Sequence, residues 1–524
     1  MTILEKIAEN AQKHPRRPAY YYEKPAGGGY KGDGEIPCHK ARSISWGDLD
    51  EQSGRLAYYL DKSLGTRTPV VVYGHKDPLM LVCFLACVKS GRAYCPIDVS
   101  VPSKRVDAVI REVQPEVILA TEELSLSYQQ ILFAEDIRKI IETAAGAAAR
   151  ERAVAAQDVF YIIFTSGSTG VPKGVQITRD CLDHFIEWGL TLGSLLETEE
   201  GEGCVFLNQA PFSFDLSVMD LYLSLYSGGT IWALDRKIQG NMRELLASLK
   251  RSRAAVWVST PSFAEVCLSD PSFGEAVLPD LRTFLFCGET LANRTAQRLL
   301  EAFPRAEVVN TYGPTESTVA VTGVTVTREL AGEVNPLPVG KARKGTWIFI
   351  MDEEGNLLPE GESGEIVIAG DTVSAGYWNA PERTGQSFGS MEIEGRAYRF
   401  YRTGDRGYQK GEQLFYCGRM DLQIKLHGYR MELEDIEQNI MKLPGIRRAA
   451  VLPVRRGGQV RSLSAFVAAE EMPKDAFAES QRLREALRRF LPDYMIPKKF
   501  VFLESLPLTV NGKVDRRVLG GDIL

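Results

Sequence analysis

Between about residues 70 and 320 the chain alternates short apolar runs with longer helical patterns. PVVVYG (69–74), FYIIFT (160–165), VFLN (205–208), AVWVS (255–259), TFLFC (283–287) and EVVN (307–310) are strand-like. Strands that are apolar on both faces are buried on both faces, so this rhythm predicts parallel sheets covered by helices. In such folds ligands collect at the carboxyl ends of the strands. The longest apolar run, Leu79 to Val88, follows Pro78 and reads as a buried helix. It falls well short of the roughly 20 residues that cross a bilayer.

After about 330 the pattern changes. LPVGK, WIFIMDEEGNLLP and GEIVIAG are short strands separated by DEEGN and PEGESG turns, which predicts an antiparallel sheet or a small barrel over 330–420. A third pattern begins near 421, with helices expected at 432–442 and 479–490 among short strands. Residues 421–524 hold 18 lysines and arginines against 14 acidic residues, a net of +4 that leaves −10 for the rest. The expected architecture is therefore α/β. A large N-terminal domain (1–420) carries mostly parallel, helix-covered sheets plus the small barrel, and a smaller, mobile α+β domain (421–524) follows a hinge near Met420–Asp421. The Ala-rich 142–156 reads as a helix or linker, and the Gly-rich 23–40 as an inserted hairpin or loop.

Composition narrows the possibilities. The 524 residues are 44% hydrophobic and 25% charged, ordinary for a globular chain and incompatible with global disorder. The net charge of −6 argues against a dedicated nucleic-acid binder. The N-terminus, MTILEKIAENAQKHP, has helical spacing and no long apolar core, so it does not read as a secretory signal. Nine scattered cysteines without a CxxC pair, five histidines and no HExxH favour reduced thiols in a cytoplasmic protein and disfavour structural zinc.

The sharpest chemical signal directly follows a strand: Thr165-Ser166-Gly167-Ser168-Thr169-Gly170-Val171-Pro172-Lys173-Gly174. Small hydroxyl residues and glycines let backbone N–H groups close around phosphate oxygens, and a lysine adds charge. It is not a Walker A loop, because Pro172 precedes Lys173 and Gly174 follows it. By itself such a stretch reads equally well as a flexible loop.

Four further motifs follow in order: Asn310-Thr311-Tyr312-Gly313-Pro314-Thr315-Glu316, Tyr401-Arg402-Thr403-Gly404-Asp405, Gly418-Arg419-Met420-Asp421-Leu422-Gln423-Ile424-Lys425 and Asn511-Gly512-Lys513-Val514-Asp515. With the first, they resemble the adenylate-forming superfamily of acyl-CoA synthetases, luciferases and nonribosomal peptide adenylation domains, over nearly the whole chain. The resemblance implies ATP and Mg2+ as cofactors, with adenylation of a carboxylate. It assigns ATP binding to Thr165 to Gly170, Lys173, Asn310 to Thr315, Asp405, Tyr416, Cys417, Gly418, Arg419 and Lys513. Tyr312 would stack on adenine, Asp405 would accept the ribose hydroxyls, and Glu316 would hold the metal. Lys513 would be catalytic, bridging the substrate carboxylate and ATP. Taken singly, each of these residues also reads as a turn residue, a cap or a solvated side chain.

Phe214-Asp215-Leu216-Ser217-Val218 resembles the segment whose aspartate pairs with an ammonium group in amino-acid-activating members; its bland alternative is a helix N-cap. Val72-Tyr73-Gly74-His75, Phe206 to Asp220 and Lys425 to Glu434 resemble more closely the D-alanine-activating, carrier-loading branch of the superfamily. That implies a pocket of Asp215, Leu216, Met219, Cys287, Val319 and Lys513, large enough for little more than a methyl group. It also implies a separate phosphopantetheine-bearing carrier protein as partner and a role in D-alanylation of lipoteichoic acid. Cys287 would crowd the α-carbon, or is simply a buried thiol. The 23–40 insertion departs from that branch. Activation of another small amino acid for a peptide synthetase carrier, or non-catalytic nucleotide binding on the same fold, are the alternatives.

Overall fold

The computed structural model describes all residues except 25–39, 129, 166–171, 196–202, 421–422, 427–428, 457–458, 508–513 and 521–524. Its contacts divide the chain into two compact units. The first comprises Met1–Asp98, Val113–Ile163 and Val175–Gly418; the second comprises Val99–Glu112, Phe164–Gly174 and Arg419–Leu524.

The apolar runs of the first unit become the strands of two large sheets. Val70–Gly74 lies parallel to Tyr94–Asp98 and to Ile118–Ala120 in a six-stranded sheet. In a nine-stranded sheet, Glu307–Tyr312, Thr283–Phe286, Val256–Ser259, Val205–Asn208, Thr230–Ala233 and Pro18–Lys24 run parallel in that spatial order. Antiparallel strands finish both edges of this sheet: Lys40–Ser45 at one, Thr322–Thr325 and Lys341–Ala342 at the other. The central strands are buried along their whole length, as the unbroken apolar runs require.

Two helices explain how the sheets share a core. Leu79–Lys89, opened by Pro78, and Leu216–Ser227 are apolar on nearly every face and buried along nearly their whole length. The second ends at Gly228, whose φ of +72° is the left-handed stop that glycine adopts without strain. The Tyr222 hydroxyl on this helix lies 2.7 Å from that of Tyr94 in the six-stranded sheet, while the helix also packs on strand 205–208 of the nine-stranded sheet. Apolar residues from both sheets and both helices form one continuous core.

A buried lysine ties the strand ends together. Lys76, just past strand 70–74, has no exposed surface, and its ammonium donates to Asn208 Oδ1 and the Ala210 carbonyl, 4.5 Å from the centre of the Phe212 ring. Asn208 Nδ2 donates to Asp220 Oδ1 at 2.7 Å. Burial pushes the Lys76 ammonium down to about 8, against the pull of Asp220, Asp98 and Asp235. Beside it, His75 Nδ1 lies 2.6 Å from Asp98 Oδ2, and the Arg236 backbone N–H donates to His75 Nε2 at 3.3 Å.

Residues 346–419 differ from the expected barrel. Strands Thr346–Met351, Gly364–Gly370, Arg396–Lys410 and Phe388–Ile393 form an antiparallel sheet in that order, with Gln413–Arg419 pairing on 396–410. Among the described residues the sheet does not close. Closure depends on strand tilt and stagger, which the alternation of apolar and polar residues does not encode. The Ala-rich 142–156 supplies only the end of helix Ala134–Thr143 and a single 3-10 turn, Arg150–Arg152. The expected insertion 23–40 falls mostly outside the described residues; the strands on either side of it pair antiparallel.

Within the second unit, strands Ile446–Arg456, Gln459–Ala469 and Lys499–Leu503 make one sheet, and helices Leu433–Met441 and Ala476–Leu487 pack on it around their own core. Both helices lie where the chain pattern placed them. The eight cysteines among the described residues are free thiols, six of them buried. No helix among the described residues is long and apolar enough to cross a membrane.

A test of the first unit's core is Trp257, fully buried among Phe263, Phe273 and Phe284 with its indole N–H bonded to Ser259 Oγ at 2.6 Å. Trp257→Ala is expected to cost about 3–5 kcal/mol, the range for emptying an aromatic site, read as an earlier urea midpoint by far-UV circular dichroism.

Candidate functional site

The site lies at the carboxyl ends of the parallel strands of the nine-stranded sheet, where such folds bind ligands. Strand 205–208 leads through residues 209–215 to the helix at Leu216. Strand 283–286 ends at Cys287. Strand 307–312 runs into Gly313-Pro314 and the short turn Thr315–Ser317.

Two of these strand ends, those leading to Asp215 and to Thr315, meet at Asp215. Its position before the 216–227 helix allows capping, but its side chain makes no cap hydrogen bond. Instead the Thr315 hydroxyl donates to Asp215 Oδ2 at 2.6 Å, and both residues are buried. Leu216, Met219, Cys287 and Val319 are all buried and belong to the large apolar core of the first unit. The Cys287 thiol donates to the Val319 carbonyl at 3.5 Å. Of the pocket residues proposed from sequence, Asp215, Leu216 and Met219 lie at the start of one helix and Cys287 bonds to Val319, while Lys513 lies outside the described residues.

The loop that carries Val319 has unusual backbone geometry. Thr318 and Val319 have φ of 60° and 67°, a left-handed conformation that costs a side-chain-bearing residue about 1–3 kcal/mol. Hydrogen bonds hold it in place. Thr318 Oγ1 donates to the Thr372 carbonyl at 2.8 Å, and the Val321 N–H to the Tyr312 carbonyl at 2.8 Å. Gly313 is necessary for this packing, since a Cβ there would lie 2.6 Å from Ala320 Cα and 2.9 Å from the Val319 carbonyl oxygen.

Glu316 is fully buried. The Tyr377 hydroxyl donates to its Oε1 at 2.9 Å, and the Ser374 N–H donates to its carbonyl at 2.9 Å. Tyr377 is a site residue that the sequence reading missed. It stands 61 positions from Glu316, and no local spacing links the two. Among the described residues no three His, Cys, Asp or Glu side chains gather into a metal cluster. A single buried carboxylate suits a cation such as Mg2+, which keeps several waters and takes its remaining ligands from phosphates.

The Tyr312 hydroxyl donates to Asp405 Oδ2 at 2.5 Å, and its ring lies 5.8 Å from that of Tyr416. Burial, reinforced by the neighbouring Asp405 carboxylate, pushes the Tyr312 phenol well above its usual range. Asp405 is itself buried, its N–H bonded to Thr403 Oγ1 at 2.9 Å. Asn310 donates to the Pro338 carbonyl and Thr311 to the Phe286 carbonyl, so both side chains brace strand 307–312. Cys417, exposed, and Gly418 end the first unit.

The rest of the proposed nucleotide set belongs to the second unit. Arg419 begins its long stretch, Thr165 ends strand Val159–Thr165, and Lys173 Nζ lies 3.8 Å from Glu432 Oε1. Ser166, Gly167, Ser168, Thr169 and Gly170 lie outside the described residues.

Comparisons with known proteins identify the relatives of this chain. The model of the AMP-binding enzyme family matches residues 7–378, and that of the AMP-binding enzyme C-terminal domain matches 435–513. The chain is 45% identical to a protein named D-alanine--D-alanyl carrier protein ligase from Bacillus cereus (strain AH187) and 44% identical to one of the same name from Bacillus thuringiensis (strain Al Hakam), each over the full length of both chains. Among solved structures it resembles holo-PA1221, a nonribosomal peptide synthetase protein containing adenylation and PCP domains. The TM-score is 0.78 at 30% identity, covering 99% of this chain and 84% of that one. The Vibrio cholerae adenylation domain AlmE, in complex with glycyl-adenosine-5'-phosphate, has the same fold, with a TM-score of 0.80 at 22% identity over 99% of this chain and 97% of that one.

Gly313→Ala is expected to force apart two backbone segments that cannot yield cheaply. It should cost about 1–3 kcal/mol, the usual penalty for overpacking, measured as a lowered urea midpoint relative to the parent protein.

Proposed function

The chain belongs to the AMP-binding enzyme family, and from that premise we propose that it is an ATP-dependent ligase for D-alanine. The D-alanine carboxylate attacks the α-phosphorus of ATP; an O–P bond forms, the α–β phosphoanhydride breaks and pyrophosphate leaves. The thiol of a separate phosphopantetheine-bearing carrier protein then attacks the D-alanyl carbonyl, forming a thioester and releasing AMP. D-alanine carried this way would serve lipoteichoic acid modification in the cytoplasm, where the free thiols would stay reduced.

The observation that carries this reading is the buried Asp215 carboxylate at the end of the parallel sheet, which accepts from Thr315 and does not cap the helix it precedes. A carboxylate at that place suits the ammonium group of a small amino acid, to which it can offer a charge-assisted hydrogen bond. The 45% identity to proteins named for D-alanine supports the choice of amino acid. Thr165 to Gly170 and Lys173 would embrace the phosphates, Asn310 to Thr315 with Tyr416, Cys417 and Gly418 would flank the adenosine, and Asp405 and Arg419 would meet the ribose. Lys513 would stabilise charge as it develops between carboxylate and phosphate. Mg2+ would be held by Glu316, oriented by Tyr377, and would neutralise phosphate charge when bound. Residues 421–524 would form a smaller, mobile domain following a large domain of residues 1–420.

Amino-acid-dependent pyrophosphate exchange tests the proposal. D-alanine is expected to exceed L-alanine, glycine and larger amino acids in kcat/KM; a preference for any of these overturns the assignment. Asp215→Ala should raise the KM for D-alanine about 10-fold or more, the value of a charge-assisted hydrogen bond, while the KM for ATP at saturating D-alanine stays within about twofold.

Handedness tests the pocket separately. Both enantiomers can offer ammonium and carboxylate to the same partners, so only the placement of methyl and hydrogen distinguishes them. If Cys287 crowds the α-carbon, Cys287→Ala should narrow the D/L ratio of kcat/KM by no more than about 10- to 200-fold, chiefly by improving L-alanine. An unchanged ratio would leave Cys287 as core packing.

A further inference from the structure

Lys76 is a buried charge that the reaction does not use. Lysine is almost never fully buried without a partner, because its ammonium gives up its hydration. Lys76 nevertheless has no exposed surface, two residues past the end of strand Val70–Gly74. Its backbone carbonyl accepts from the Tyr20 hydroxyl at 2.8 Å, which fixes the root of the side chain. The ammonium donates to Asn208 Oδ1 and to the Ala210 carbonyl, and lies 4.5 Å from the centre of the Phe212 ring. An apolar side chain of similar volume would fill this space without the cost of desolvation, but it could not hold a carbonyl.

All three contacts fall on the segment that delivers Asp215. That segment leaves strand 205–208 at Asn208 and enters the helix at Leu216. Its two ends are tied to each other, since Asn208 Nδ2 donates to Asp220 Oδ1 at 2.7 Å. Between them the Gln209 carbonyl accepts from Gln239 Nε2 at 3.2 Å, and the Phe214 N–H donates to the Pro211 carbonyl at 3.0 Å. The Phe212 ring sits against Phe84 and Tyr20, with centroids 5.4 and 6.4 Å away. The turn from Pro211 to Phe214 is closed by its own hydrogen bond, so a displacement of the Ala210 carbonyl is passed on to Asp215.

We propose that Lys76 is a positioning residue for amino-acid binding: by holding Asn208, the Ala210 carbonyl and the Phe212 ring, it sets where Asp215 meets the substrate ammonium group. It acts through Asp215 and not on the substrate itself. This role rests on the ligase reading above.

The test is pyrophosphate exchange with Lys76→Met, which keeps most of the side chain's volume and removes the charge. The KM for D-alanine should rise about 3- to 10-fold, the value of one hydrogen bond, while kcat and the KM for ATP stay within about twofold. A residue needed only for folding would lower the amount of active protein, and so the apparent kcat, without moving KM. In the Asp215→Ala background the same substitution should change kcat/KM for D-alanine by less than about twofold, because the group it positions is gone. If Lys76→Met fails to fold with Asp220 left buried beside it, Lys76→Met combined with Asp220→Asn removes both charges, and the same rise in the KM for D-alanine is expected. An unchanged KM for D-alanine, a parallel rise in both KM values, or the full effect in the Asp215→Ala background overturns the positioning role. D-alanine-dependent exchange in the wild type with an unchanged KM in the variant defeats only that role, whereas absence of exchange in the wild type defeats the ligase reading itself.

Discussion

The hydrogen bond from Thr315 to Asp215 is the contact on which the site depends. Asp215 is delivered by strand 205–208 and Thr315 by strand 307–312, with strands 256–259 and 283–286 between them in the sheet. A shift of either strand end would separate the carboxylate from the hydroxyl. The parallel sheet fixes that spacing because every intervening strand is buried and paired in a defined register.

Support for that contact comes from groups that a hydrophobic core would ordinarily exclude. Lys76 reaches from the end of strand 70–74 to Asn208 and the Ala210 carbonyl, at the start of the segment leading to Asp215. Asn208 in turn holds Asp220, four residues into the helix that opens at Leu216. Burial alone pushes Asp220 well above the usual carboxylate range, and the Lys76 charge opposes the shift. Removing one member of such a chain leaves the others buried without compensation, which is what makes the arrangement specific to one geometry. On the other side, Thr311 bonds the Phe286 carbonyl, tying strand 307–312 to the strand that ends at Cys287.

The same economy of contacts appears at Glu316. A tyrosine hydroxyl holds the fully buried Glu316 carboxylate, and the Ser374 N–H holds its backbone carbonyl, beside the left-handed Thr318 and Val319. The left-handed Thr318 and Val319 place the Val319 carbonyl where the Cys287 thiol meets it, so the loop that carries Glu316 is also tied to the end of strand 283–286. Backbone strain here coincides with the place where two substrates would meet.

Much of this was legible in the chain. The apolar runs located the buried strands, since a segment apolar at every position has no solvent face to offer. Leu79–Val88 announced itself as a buried helix for the same reason. The ordered motifs marked Asn310–Glu316 and Asp405 before any geometry was known, and Asp215 was singled out with two roles open. Only the tertiary structure removed the cap, because the Asp215 side chain makes no cap bond and accepts from Thr315. It alone joined Tyr377 to Glu316 and Lys76 to Asn208, and it left open the sheet expected as a barrel. Periodicity reports which side of a segment is buried. The partner a buried polar group finds depends on the order in which strands lie side by side, and that order brings together residues 61, 100 or 132 positions apart without leaving a local trace in the sequence.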